Sequence, residues 1–118
     1  MQVIGYTRVS TTEQAMEGVS LAAQRAKIEA YAVVKDWTLR EVITDAGLSA
    51  KTLKRPGLQR VLALVRAREV DVVVVAKLDR LSRRVRDVYD LVELFERKGV
   101  ALVSLQEAST PRPPPAAP

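Results

Sequence analysis

Val70-Asp71-Val72-Val73-Val74-Val75-Ala76 is the stretch that decides the fold. It is almost continuously apolar and β-branched. A strand facing water on one side would alternate apolar and polar residues. A run without alternation fits a central strand buried on both faces, as in a parallel sheet. Parallel neighbours need helical crossovers, so helix patterns are expected on either side of it.

They are present. Upstream, Leu58, Val61, Leu62 and Val65 repeat at i, i+3, i+4, i+7, with Pro56 placed in the first helical turn, where its missing N–H has no helical partner. Downstream, Val85, Val88, Val92 and Phe95 mark another helix, and Gly99 is its expected C′ residue. Val100 to Leu105 reads as a further strand. Nearer the N-terminus, Gln2 to Val9 is a short β-rich strand and Thr11 to Gly18 a polar loop or helical turn. Ser20 caps a helix from Leu21 to about Lys35, whose face (Leu21, Gln24, Ile28, Tyr31, Lys35) is helical but not purely apolar. Trp37 to Thr44 forms the remaining strand and ends at the turn signal Asp45-Ala46-Gly47. Trp37 reads as a core-edge residue and not as a platform for base stacking.

The alternation predicts an α/β domain of three layers: a mostly parallel four-stranded sheet with flanking helices and right-handed crossovers. The Gln2 and Val70 strands should be adjacent and central. The domain spans residues 1–108. Ser109 to Pro118 holds five prolines in ten residues and is expected to be an extended, disordered tail.

In such folds, ligand chemistry gathers at the carboxyl ends of the strands. Ser10, Asp45 and the Lys77 to Arg80 stretch all fall there. Composition narrows what that edge can do. The chain has 118 residues, no cysteine and no histidine. Thiolate sites, disulfides, histidine bases and most zinc chemistry are thereby excluded. Proton transfer is left to Asp, Glu, Lys, Arg, Tyr or water. The net charge is +5, and the interval from Ala46 to Arg68 carries Lys51, Lys54, Arg55, Arg60, Arg66 and Arg68 without an acid. That balance favours a polyanionic partner, although a solvated basic face would look the same. No apolar run approaches a membrane span, the opening has no signal-peptide pattern, and the chain reads as cytoplasmic. A nucleotide-binding module fits poorly, since no Gly-rich phosphate loop follows the first strand.

Three clusters then stand out: Tyr6-Thr7-Arg8-Val9-Ser10, Lys54-Arg55-Pro56-Gly57-Leu58 and Lys77-Leu78-Asp79-Arg80-Leu81-Ser82-Arg83. A serine hydroxyl is a weak nucleophile at neutral pH. It needs a base or a strongly polarised target. Arginines supply the second option against a phosphodiester, because the guanidinium fork matches phosphate oxygens and stays charged. Losing one such donor typically costs about 2.7–4 kcal/mol in a comparable oxyanion site. In isolation Ser10 would be read as a cap, and Asp79 with Arg80 as a surface ion pair of ~0–1 kcal/mol. Their joint placement after strand patterns argues otherwise. Ser82 reads as the cap of the Val85 helix.

The clusters resemble the catalytic domain of the serine recombinases, the resolvase/invertase family. The opening Y-x-R-V-S is present as Tyr6, Arg8, Val9 and Ser10, and the block K-L-D-R-L-S-R as Lys77 to Arg83. Arg55 stands before Pro-Gly-Leu. Glu13, Gly18, Ser20, Leu21 and Gln24 look like the opening of the larger subtypes. The resemblance implies that Ser10 attacks a DNA phosphate, giving a 5′-phosphoserine link and a free 3′ hydroxyl. It implies that Arg8, Arg55, Arg80 and Arg83 bind that phosphate and that Asp79 holds an arginine and takes part in proton transfer. Tyr6, Gln24 and Lys77 would be supporting residues. It implies no metal, no nucleotide and no other cofactor, DNA as partner, and a dimer or tetramer as the working assembly. The site residues are expected to approach one another across several-ångström gaps, without tight bonds.

Two departures from the family pattern bear on activity. Ala50 replaces the glycine of D-x-x-x-S-G after Asp45. Arg112-Pro113-Pro114-Pro115 stands where the family continues into a long helix and a DNA-binding domain, so the chain reads as a truncated or frameshifted recombinase. The alternative function is a non-catalytic remnant that binds DNA weakly or modulates a full-length recombinase.

Overall fold

The computed structural model describes residues 1–10, 20–47 and 53–107. The expected loop at Thr11 to Gly18, the Ala50 position and the proline-rich segment lie outside the described residues.

The elements alternate as expected. Strand β1 (Val3–Val9) is followed by α1 (Leu21–Val34), β2 (Leu39–Ala46), α2 (Pro56–Arg66), β3 (Val72–Val75), a short 3₁₀ turn (Leu78–Arg80), α3 (Val85–Lys98) and β4 (Ala101–Ser104). The sheet order is β2-β1-β3-β4, and every pairing is parallel. The Val70 run is therefore internal, next to β1, and all of β3 is buried.

Side-chain alternation divides the core into two faces. On one, Ile4, Tyr6, Ile43, Val73, Val75 and Leu102 meet Leu58, Val61, Leu62 and Val65 of α2 and Leu91, Leu94 and Phe95 of α3. On the other, Val3, Val72, Val74, Ala101 and Val103 meet Ile28 of α1, with Tyr31 and Trp37 packed alongside. The sheet is thus the middle of three layers. Gly5 lets α1 approach closely: a Cβ there would stand 2.9 Å from Ile28 Cγ2.

Helix ends follow local chemistry. Ser20 Oγ accepts from Ala23 N–H at 3.1 Å, and Gly99 adopts φ 70°, the left-handed conformation that closes α3. The second strand begins and ends two residues later than its sequence pattern indicated. Residues 35–37 are spent leaving α1, with Asp36 at φ 58° and Trp37 N–H bonded to Ala32 O at 2.8 Å. The strand then runs on because β1 pairs with it as far as Val9 opposite Ala46. Ser82 does not occupy the cap position of α3, which belongs to Arg84. Its Oγ accepts from Arg84 N–H at 3.0 Å and donates to Asp87 at 3.1 Å, steadying the helix entrance from two residues ahead. Among the described residues no helix is long and apolar enough to cross a membrane.

Candidate active site

Parallel strands ending at one edge deliver their following residues to that edge. β1 brings Arg8 and, one residue past its end, the half-buried Ser10. β2 brings Asp45, β3 leads into the Lys77–Arg80 turn, and the start of α2 brings Arg55. The described network is held by guanidiniums buried against main-chain carbonyls.

Arg8 is fully buried at 0% exposure, and Arg55 and Arg80 are at 2% and 3%. Arg8 Nε donates to Arg80 O and its Nη2 to Asp79 O, both at 3.1 Å. Arg55 Nη1 donates to the same Arg80 carbonyl at 2.9 Å, and Nη2 to Leu81 O. Arg80 returns the contact: its Nη1 donates to Arg8 O at 2.9 Å, and its Nε to Asp79 Oδ1 at 2.8 Å. The expected several-ångström gaps are therefore absent among these four residues. The physical reason is burial. A guanidinium removed from water must have its donors met, and the carbonyls of the 3₁₀ turn meet them. Among the described residues no buried side-chain nitrogen or oxygen lacks a partner.

Tyr6 is fully buried and sits between two of these systems. Its hydroxyl donates to Asp45 Oδ2 at 2.6 Å and accepts from Arg55 Nη1 at 3.0 Å. Burial first, and the Asp45 bond second, push its phenol well above the ordinary value. Burial pulls the Arg55 guanidinium below its ordinary value, while Tyr6 and Asp45 oppose that shift. Arginine nonetheless stays cationic at neutral pH.

Gln24 is 3% exposed, not the surface polar residue that a helix edge usually carries. Its amide clamps the Arg8 backbone in both directions: Arg8 N–H to Oε1 at 3.1 Å, and Nε2 to Arg8 O at 2.8 Å. The clamp fixes the strand end just before Ser10. Lys77 is exposed and lies 3.9 Å from Asp79 Oδ2. Arg83 is also exposed. With Leu78, Asp79 and Ser82 it borders a groove of about 700 Å³ whose apolar wall is Val85, Val88, Tyr89 and Val92 of α3.

Two acids matter more than their sequence context indicated. Asp45, 3% exposed, accepts from Gly57 and Leu58 N–H at 2.8 and 2.9 Å as well as from Tyr6. It thereby supplies the cap that Arg55, with no side-chain cap bond of its own, does not give α2. Gly57 is required by this contact, since a Cβ would lie 2.8 Å from both carboxylate oxygens. The visible signal was an acid at a strand terminus ahead of a helix opening in Pro-Gly. Glu107 is the second acid: it accepts from Leu78 N–H at 3.1 Å and from the Ser104 hydroxyl. Its local sequence resembles the family's approach to the long helix but gave it no role in the site.

Chemically, the edge concentrates positive charge and fixed donors, with Ser10 one residue past the end of β1. This composition suits an anionic, phosphate-like group.

Comparisons with known proteins identify the family. The profile described as "Resolvase, N terminal domain" matches residues 3–116. The DNA-invertase of Escherichia phage P1 is 38% identical over 112 residues, covering 92% of this chain and 53% of the invertase. The transposon Tn552 resolvase of Staphylococcus aureus is 36% identical over 107 residues, covering 91% of this chain and 47% of the resolvase. The chain thus spans about half the length of these curated relatives. Among solved structures, the N-terminal catalytic domain of TP901-1 integrase superposes with a TM-score of 0.85 at 42% identity, covering 92% of this chain and 81% of that domain. On its sequence, its all-parallel sheet and these likenesses, the chain belongs to the resolvase family and corresponds to that family's N-terminal domain.

Proposed function

We propose that residues 1–108 form the catalytic unit of a site-specific DNA recombinase that cuts and rejoins strands through Ser10. The observation that carries this reading is the bonded cluster of Arg8, Arg55, Arg80 and Asp79 at the carboxyl edge, with Ser10 two residues beyond Arg8. Ser10 Oγ attacks a backbone phosphorus and loses its proton. A serine–phosphate bond forms at the 5′ side, the P–O3′ bond breaks, and the 3′ oxygen leaves as a hydroxyl. Rejoining runs the same exchange backward, so one diester replaces another. Arg8, Arg55, Arg80 and Arg83 stabilise the charge that builds on the non-bridging oxygens, and Asp79 orients Arg80 and assists proton transfer. Tyr6 and Gln24 support the arginines, and Lys77 adds charge at the rim.

The cluster as described serves the main chain. For a phosphate to take its place, the Lys77 to Leu81 segment has to yield some of the donors of Arg8 and Arg55. DNA in paired copies of the chain, a dimer or tetramer working in the cytoplasm, is the partner that would draw that change.

The test is a chimera that joins this chain to the unmatched remainder of the phage P1 DNA-invertase, assayed on that invertase's own site. Cleavage should leave protein covalently attached to 5′ ends. Cleaved DNA with no attached protein, or no cleavage by a folded chimera, would overturn the reading.

A further inference from the structure

The turn that holds Arg8 and Arg55 has an anchor of its own. A 3₁₀ turn begins with an N–H that has no partner inside the turn. Here that group is Leu78 N–H, and Lys77 at the cap position gives no side-chain bond. Glu107 reaches back from beyond β4 to accept it at 3.1 Å. The carboxylate is itself steadied by the Ser104 hydroxyl. The backbone around it is fixed as well, because Leu105 and Gln106 N–H bond to Val75 and Ala76 O at 3.0 and 2.8 Å. The same short turn then spends its carbonyls on the arginines: Asp79 O on Arg8, and Arg80 O on both Arg8 and Arg55.

We infer that Glu107 is a positioning residue: by holding the first N–H of the Leu78–Arg80 turn, it sets the carbonyls that orient Arg8 and Arg55. The inference rests on the proposed function only for its effect on DNA cleavage. Its structural half stands on the contacts alone. It also ties the arginine cluster to the chain that leaves β4. A pull on that chain reaches the turn through the Glu107 carboxylate and through the Leu105 and Gln106 N–H bonds to Val75 and Ala76 O.

The experiment compares the whole chain with Glu107→Ala and Glu107→Gln. Glutamine keeps a side-chain oxygen that can accept from Leu78 N–H, whereas alanine does not. Nitrogen-15 NMR follows hydrogen exchange at Leu78 N–H and at the Arg8 Nε–H, and thermal unfolding is recorded beside it. Glu107→Ala should accelerate exchange at both sites on the order of tenfold or more, with Glu107→Gln restoring most of the protection. In the invertase chimera, Glu107→Ala should slow covalent attachment about 10- to 100-fold while leaving DNA affinity in place. Unchanged exchange at Arg8 in Glu107→Ala would overturn the inference. So would equal loss in both variants. If Glu107→Ala does not fold, normal protection of both groups in Glu107→Gln supports the account, and loss of it overturns the account. Loss of protection in Glu107→Ala, alongside an unaltered chimera that never attaches to DNA, would count against the proposed function while upholding the latch.

Discussion

Tyr6 links the Asp45 carboxylate to the arginine cluster. Its hydroxyl serves Asp45 as donor and Arg55 as acceptor, so its removal leaves two buried charged groups each short of a partner. Tyr6→Phe should therefore destabilise the fold by about 1–3 kcal/mol in urea unfolding. The same residue gives the stability a pH dependence. The phenol is raised by burial and by Asp45, so the folded chain holds that proton more tightly than the unfolded chain. The resulting stability is fully present below the ordinary tyrosine value of about 10 and is lost as pH rises beyond it. Tyr6→Phe should flatten that alkaline decline, and an equally steep fall in both proteins would refute the assignment. Asp45 offers a neighbouring test. Gly57→Ala puts a Cβ against a carboxylate held by three bonds and should cost roughly 1–3 kcal/mol. These residues also show where sequence reading stops. The motifs of Arg8 and Arg55 made them candidates but did not disclose their burial, because the carbonyls that make burial tolerable lie far away in sequence, at Asp79 to Leu81. Asp45 was visible at the strand end, yet its partners are backbone groups twelve and thirteen positions later, which no side-chain pattern records.

At the scale of elements, the period of the apolar residues carried most of the information. The unbroken β3 run and the α2 stripe each emerged where the pattern indicated, because burial on two faces or one dictates those patterns directly. Boundaries were less legible where the chain turns without glycine. α1 leaves through Asp36 at φ 58° and α2 through Arg68 at φ 57°. An arginine in that conformation crowds its own Cβ against the following carbonyl. Arg68→Gly should relieve this and, after the entropy that glycine adds to the unfolded chain, raise stability by about 0.5–1 kcal/mol. A drop in the unfolding midpoint would contradict it. Gly5 makes the opposite case. Gly5→Ala should destabilise by roughly 1–3 kcal/mol, because Ile28 stands 2.9 Å from the added carbon.

For the whole molecule, the sheet order puts β1 and β3 side by side, so that the residues following each strand face one another across the same edge. That adjacency was legible from the two apolar strand patterns, and it brings the first and third sequence clusters to one edge, where Arg55 at the start of α2 joins them. The charge is also a whole-molecule property. A chain of net charge +5 should bind duplex DNA through counterion release, weakly and without preference between sequences. Anisotropy titrations on two unrelated duplexes should show equal affinities that fall steeply between about 50 and 200 mM salt. Tight binding to one duplex alone would contradict this. The central claim, however, concerns a single bond. Peptide mapping of the covalent protein–DNA product from the invertase chimera tests it most directly. The account predicts that the 5′ phosphate is esterified to Ser10 and that Ser10→Ala yields no product, whereas Ser82→Ala still does. Attachment through any other residue, or attachment that persists in Ser10→Ala, would contradict it.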